Sequence, residues 1–192
     1  MHKPDLATHR AVLDIDGVLS EFVLRPLDLD RDVDLMHSWM NDPEVARFWN
    51  KPWSKDQIAS YLREQQDCPH LDPYLGMLEG VAMSYWELYR ADLDSLAQHY
   101  PARDHDAGVH MLLGPAESRG QGLAVALLRA VSDFQLEMDP RATRVVGEPD
   151  LENIRCIRVA ERAGFRHVTD LDLPHKRAAL LIRDREPEGE GR

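Results

Sequence analysis

Hydrophobic and polar positions change period several times along the 192 residues, and those changes divide the chain into elements. Two short apolar runs, "AVL" from Ala11 and "VLSEFVLRPL" from Val18, flank "DIDG", where Asp-Gly accepts the backbone twist of a hairpin turn. Leu35, Met36, Trp39 and Met40 then recur at helical spacing, with Asp30 as the N-cap and Pro43 just beyond the end. "SKDQIASYLREQQ" predicts a second helix opened by a Ser54/Gln57 capping box. "YLGMLEGVAMSYWELYR" has the content of two strands broken near Glu79 and Gly80; a short helix, "ADLDSLAQHY", follows, and then the strand "AGVHMLLG". The strongest helical pattern is "SRGQGLAVALLRAVSDFQLEM", with Leu123, Val125, Leu127, Leu128, Val131 and Phe134 as its apolar positions. "TRVVGEP" reads as a strand, "NIRCIRVAERAG" as a helix stopped by Gly164, and "FRHVTDLDLPHKRAALLIR" as a closing strand pair. The order β-β-α-α-β-β-(α)-β-α-β-α-β-β predicts an α+β fold on a mixed sheet.

The two ends differ from this patterned middle. Residues 1–10 are polar and the tail 186–192 is acidic with Pro and Gly, so a single folded domain is expected over 11–185 with flexible flanks. The formal charge of -11 argues against a nucleic-acid partner, which needs a basic face, and suits a cationic small substrate, although surplus acid also serves solubility. Cys68 and Cys156 stand far apart without metal-ligand spacing, so neither a disulfide framework nor a metal is expected. No apolar run reaches the roughly 18 residues that would span a bilayer, and the polar start carries no secretory signal. A cytoplasmic protein without a membrane partner is the expectation.

The most conspicuous short motif is "DIDG". It resembles the nucleophile loop of haloacid dehalogenase-like phosphatases, in which Asp14 would attack phosphorus and Asp16 would shuttle a proton. That fold needs alternating βαβ units with partner motifs on successive strand ends, whereas two consecutive helices and then consecutive strands follow Phe22. The stretch therefore reads as a hairpin turn with Asp14 and Asp16 solvated at its edge.

Less conspicuous, and more informative, is the loop "GPAESRGQGLA" between a strand and the longest helix. Gly120 and Gly122 permit close backbone approach, and the helix start directs free N–H groups and a positive dipole end outward, a site for phosphate oxygens. A P-loop needs Gly-Lys-Ser/Thr there, but Leu123 and Ala124 follow Gly122, and the three glycines of a dinucleotide fingerprint are missing. The stretch resembles the pyrophosphate loop of GNAT acetyltransferases, Gln/Arg-x-x-Gly-x-Gly/Ala, at Arg119, Gly122 and Ala124. "NIRCIRVAERAGF" resembles the family's closing signature at Asn153, Gly164 and Phe165. The resemblance implies a GNAT fold, acetyl-CoA or succinyl-CoA as cosubstrate, and no metal. Pyrophosphate would lie on Arg119, Gly120, Gln121, Gly122, Leu123 and Ala124, near Asn153. Pantetheine would run along "HMLLG" as an added strand beside Met111, Leu112 and Leu113, and a backbone N–H near Met111 or Leu112 would receive the thioester oxygen. The family's thiolate-protonating Tyr, seven residues after the Asn, is Ala160 here.

Over most of its length the chain resembles the GNAT branch that acylates hydroxylamines in hydroxamate siderophore biosynthesis, through "LMHSWMNDPEVARFW", "SYWELYRADLDSLAQHY", "DAGVHMLLG" and "GEPDLENIRC". This implies His110 and Asp150 as the catalytic pair, with neutral His110 as general base, although Asp150 could equally cap the following helix. The acceptor implied is N-hydroxycadaverine, N-hydroxyputrescine or N6-hydroxylysine, with a diamine favoured. Its aliphatic chain would meet Trp49, Trp53, Trp86 and Tyr89, and its ammonium Glu87, Asp42 or Glu44. A homodimer is admitted. The alternatives are GNAT acetylation of an aminoglycoside or protein amine, and a non-catalytic acyl-CoA-binding sensor.

Overall fold

The structure is a computed structural model that describes residues 6–119 and 122–186. Eight strands form one sheet: β1 (His9–Ile15), β2 (Val18–Pro26), β3 (Leu71–Leu78), β4 (Val81–Arg90), β5 (Ala107–Leu113), β6 (Arg144–Gly147), β7 (Arg166–Leu173) and β8 (Lys176–Asp184). Their spatial order is β1-β2-β3-β4-β5-β6-β8-β7, antiparallel except between β5 and β6. This is the mixed, mostly antiparallel sheet of the expected fold class. Five helices flank it: α1 (Leu29–Met40), α2 (Pro43–Trp49), α3 (Lys55–Asp67), α4 (Leu123–Met138) and α5 (Ile154–Arg162).

Because side chains alternate across a strand, β4 and β5 sort their residues onto two faces. Trp86, Leu88 and Val109 join Phe22, Leu24, Tyr74 and the α4 residues Leu127, Leu128 and Val131 in the larger core. Tyr85 and Leu112 face the other way, packing with Leu75 against Met36, Trp39 and Met40 of α1 and Ile58 and Leu62 of α3. The second face is where the candidate chemistry gathers.

Several boundaries move from their expected places. The α1 N-cap is Asp28, whose carboxylate accepts the Asp30 amide, so Asp30 lies inside the helix. A helix absent from the sequence reading, α2, starts at Pro43 behind the N-cap Asp42. "ADLDSLAQHY" holds only a 3₁₀ turn at Ser95–Gln98. At the other end β1 begins two residues before the expected boundary, and the His9 ring stacks on Phe134 at 4.2 Å between centroids. The capping box is as expected: Ser54 accepts the Gln57 amide and Gln57 the Ser54 amide.

The β1–β2 hairpin accounts for the "DIDG" motif. Asp16 and Gly17 both have positive φ (52° and 86°), as a two-residue type I′ turn requires. The exposed Asp14 carboxylate accepts the Gly17 amide at 2.8 Å. Asp14→Asn keeps an oxygen acceptor there and should change stability by less than about 0.5 kcal/mol, with catalysis intact. Abolished activity in that variant would return Asp14 to the chemistry.

Candidate active site

The site begins where β5 and β6 part. Their parallel pairing holds only at Ala107↔Val145 and Gly108↔Val146, after which the β6-facing edge of β5, from Val109 to Leu113, has no strand beside it among the described residues. A free strand edge offers backbone N–H and C=O groups to an extended ligand. Met111, Leu112 and Leu113 lie along it.

At one end of this track stands the N-terminus of α4. Gly122 is its N-cap, in the left-handed region at φ 77°, and no side chain among the described residues caps the helix. Its first amides are thus free to meet an anion, with Leu123 and Ala124 opening the helix. Gly120 and Gln121 lie outside the described residues. The Arg119 guanidinium bonds the Leu113 carbonyl at 3.3 Å and Asp42 at 3.0 Å. Asn153 caps α5, its Oδ1 accepting the Cys156 amide at 3.1 Å.

His110 stands at the other end, on the face shared with α1 and α3. Glu87 of β4 is its direct cross-strand partner, and Glu87 Oε2 lies 2.8 Å from His110 Nδ1. Nε2 lies 2.6 Å from Oε1 of Glu148, the first residue after β6. Both carboxylates are buried, while His110 keeps 35 % of its side chain exposed to the cleft. Each carboxylate has further donors: Tyr61 and Tyr85 hydroxyls on Glu87, and the Tyr89 hydroxyl on Glu148 at 3.0 Å. Lys176 of β8 comes within 3.5 Å of Glu148 and donates to its backbone carbonyl at 2.6 Å.

The electrostatics follow from this placement. Burial disfavours a charged imidazole, but Glu148 and Glu87 outweigh it and push His110 up to about 10. Burial likewise opposes the Glu148 carboxylate, yet the charge and bond of His110, then Lys176 and Tyr89, bring it down to about 2. Glu87 is lowered for the same kind of reason: its desolvation is outweighed by His110 and the two tyrosines. Both ring nitrogens thus face carboxylate oxygens, an arrangement that favours the charged imidazole. The sequence reading makes His110 a neutral general base, and this setting favours the opposite charge state.

The other expected site residues divide clearly. Asp150 does not join His110: its carboxylate accepts the Glu152 amide at 2.7 Å and its backbone carbonyl the Asn153 amide, shaping the turn into α5. Glu87 is committed to His110 and is not an open site for a substrate ammonium. Asp42 caps α2 and pairs with Arg119, and Glu44 is shared by Arg119 and Arg155. Trp86 is fully buried on the opposite face, its Nε1 bonded to Ser84, and so cannot line an acceptor chain. Tyr89 is also buried, its ring seated over Gly108, where any Cβ would lie 2.3 Å from it. Trp49 does flank the site, edge-on to His110 with centroids 6.4 Å apart. Trp53 packs edge-on to Tyr61 and, with Asp56, Gln57, Ser60 and Glu64, lines a surface groove of about 330 Å³.

Glu148 was missed because the signal for it is strand register, which the sequence alone does not show. In a parallel pair side chains keep step two residues at a time, so Gly108↔Val146 leads from His110 to position 148 rather than 150. Ala160, where the family Tyr would stand, is buried in the larger core. Among the described residues no cluster of His, Cys, Asp or Glu could hold a metal ion, and no helix is long and apolar enough to cross a membrane.

Comparison with known proteins agrees with this geometry. Residues 28–173 match the model of the acetyltransferase (GNAT) domain. The lysine N-acyltransferase MbtK of Mycobacterium sp. (strain MCS) is 36% identical over 88% of this chain and 70% of its own. The N(6)-hydroxylysine O-acetyltransferase of Escherichia coli is 35% identical over 80% of this chain, which spans about half (49%) of that longer protein. Among solved structures, an uncharacterized protein from Bacillus halodurans superposes with a TM-score of 0.87 at 32% identity, covering 94% of this chain and 92% of its own. The aminoglycoside acetyltransferase AAC(6')-Ib, solved in complex with coenzyme A, gives 0.77 at 25% identity, covering 85% and 95%. Parted parallel strands, a helix start without a side-chain cap among the described residues, the matching family model and these relatives lead to one assignment: the chain belongs to the GNAT acyltransferase family, in the branch that holds the lysine and hydroxylysine acyltransferases.

Proposed function

We propose that the protein transfers an acyl group from acyl-CoA to the nitrogen of an N-hydroxylated amine, forming a hydroxamate by direct attack in a ternary complex. The observation that carries this reading is the position of His110. It stands at the opening of the β5–β6 wedge, with the free β5 edge leading toward the α4 N-terminus on one side and the Trp49 and Tyr61 aromatic wall on the other. Pantetheine along β5 and pyrophosphate at Gly122 bring the thioester to His110, and the acceptor enters from the α2–α3 side.

Relatives named for lysine, N6-hydroxylysine and hydroxyornithine support an N-hydroxylated lysine-like acceptor alongside the N-hydroxydiamine expected from the sequence. The groove at Trp53 carries the exposed carboxylates of Asp56 and Glu64, which suit the ammonium group that both acceptors share. Its wall Tyr61 is the residue bonded to Glu87, so the groove adjoins the reaction centre.

Thiol release from acetyl-CoA and succinyl-CoA tests the proposal with N-hydroxycadaverine, N-hydroxyputrescine, N6-hydroxylysine, unhydroxylated cadaverine and an aminoglycoside as acceptors. Hydroxamate formation with an N-hydroxylated acceptor is the expected result. Faster turnover of the plain amine or the aminoglycoside would move the protein to another GNAT activity, and CoA binding without turnover would make it a sensor. Gly122→Val forces a β-branched residue into the left-handed region, costing about 1–3 kcal/mol locally. It should weaken acyl-CoA binding roughly tenfold, each tenfold being about 1.4 kcal/mol. Unchanged affinity by calorimetry would remove this helix start from the phosphate site.

A further inference from the structure

We propose that Glu87 and Glu148 are positioning residues that hold His110 as a permanent imidazolium, so that it stabilises negative charge on the thioester and takes no proton from the acceptor. The inference rests on the acyl-transfer reading and adds the proton inventory of that site. It starts from hydrogen-bond geometry. A neutral imidazole has one N–H and one lone pair, yet both ring nitrogens face carboxylate oxygens, at 2.8 Å and 2.6 Å. Either neutral tautomer would set a nitrogen lone pair against a carboxylate oxygen; only the doubly protonated ring donates to both.

Protonating a glutamate instead would not relieve the conflict economically, because each carboxylate already has donors that favour its anion. Glu87 takes the hydroxyls of Tyr61 from α3 and Tyr85 from β4, and Glu148 takes that of Tyr89 and faces Lys176 from β8. The remaining groups against the ring are the Trp49 edge from α2 and the Tyr89 ring of β4, whose hydroxyl lies 3.5 Å from Nε2; the Cys156 thiol of α5, which interacts with Lys176 and Glu148, is pushed up to about 11 by burial and stays neutral. Two anions and two cations balance. The raised His110 and lowered Glu148 agree with this arrangement.

A fixed cation changes the expected chemistry. The acceptor nitrogen supplies an electron pair to the thioester carbon, forming C–N; the C–S pair leaves on sulfur as thiolate; the nitrogen's proton passes to solvent water. With both N–H groups held by carboxylates, the imidazolium acts through its charge, offsetting Glu87 and Glu148 so that they do not repel the oxyanion and then the thiolate, which needs no acid at the Ala160 position. With no free base present, an alkylammonium arrives with nothing to deprotonate it, whereas the weakly basic nitrogen of an N-hydroxylated amine arrives neutral. The missing base thereby becomes a determinant of acceptor class.

Two measurements test this. Imidazole nitrogen NMR of the free protein, with the His110 signals assigned against His110→Gln, should show the imidazolium persisting past a pH of about 9 in the wild type. In Glu148→Gln it should titrate several units lower. Titration of wild-type His110 at the ordinary histidine position of roughly 6.5 would overturn the proposal whatever the substrate, so this arm stays decisive even if no acceptor is turned over. In turnover, Glu148→Gln relative to wild type should lose roughly 10- to 100-fold in kcat at pH 8 and regain much of it as the pH falls and His110 recharges. A loss that is the same at every pH would mark Glu148 as merely structural. Should Glu148→Gln fail to fold, Glu87→Gln is expected to give the same pattern, and a flat profile there would count equally against the idea.

Discussion

Replacing His110 by alanine is expected to lower kcat about 100-fold or more and to destabilise the fold by about 2–3 kcal/mol. The stability loss arises because Glu87 and Glu148, buried from opposite sides of the ring, lose the cation between them. Removing one partner of a fully buried pair costs about 3–5 kcal/mol; the estimate sits lower because a third of the His110 side chain is exposed. The effect has a pH signature. His110 is raised from 6.5 to about 10, so its contribution is complete below about 6.5 and is lost as pH rises through 10. Glu148 is depressed from 4.5 to about 2, so its contribution is complete above 4.5 and is lost as pH falls through 2. The stability difference between wild type and His110→Ala should therefore be largest between about pH 4.5 and 6.5 and shrink on both sides. Thermal melts inside that window and on both sides of it check this, and a difference independent of pH would show that the carboxylates do not depend on the histidine's charge.

How much of this was legible beforehand depended on whether the signal was local. Elements with strong local chemistry were readable: the Ser54/Gln57 box, the Asp16-Gly17 turn and the amphipathic α4 are fixed by nearby residues. So was the Gly122 helix start, because a left-handed N-cap needs glycine locally. The short α2 escaped because seven residues give too little periodicity, and its Asp42-Pro43 start resembled the stop of α1. Within the site, His110 could be placed, but its partners could not. Glu87 and Glu148 come to one ring from 23 residues before it and 38 after. Their meeting depends on strand register, which pairs Glu87 with His110 across β4–β5 and carries Glu148 into step across β5–β6. The same register explains two misplaced aromatics. One step along β4 sends Trp86 to the α4 core, while Tyr89, on the correct face, is covered by the sheet's own packing.

The β5–β6 wedge proposed for acyl-CoA has a closed end, and the largest predicted stability loss lies there. Asp106 directly precedes β5 and Arg144 opens β6. Their side chains, almost wholly buried, form a two-oxygen fork with Nε–Oδ1 at 2.6 Å and Nη2–Oδ2 at 2.7 Å. The same carboxylate accepts the Tyr100 hydroxyl at 2.8 Å and the Arg103 amide at 2.9 Å, and Arg144 also donates to the Pro101 carbonyl. Among the described residues only two pairs join β5 to β6, so this clasp supplies much of what holds the strands together before they part. Asp106→Asn would leave a buried guanidinium without its counter-charge, at about 3–5 kcal/mol. For a chain of this size that is a fall in Tm of roughly 10 °C. Arg144→Lys should cost less, because the charge survives although an ammonium cannot reproduce the planar fork. Slack at the closed end should also reach the open one: Asp106→Asn should raise KM for acyl-CoA even at temperatures where the variant stays folded. A variant within about 1 kcal/mol of wild type, with unchanged KM, would mean that the backbone pairing alone sets the angle at which β5 and β6 diverge.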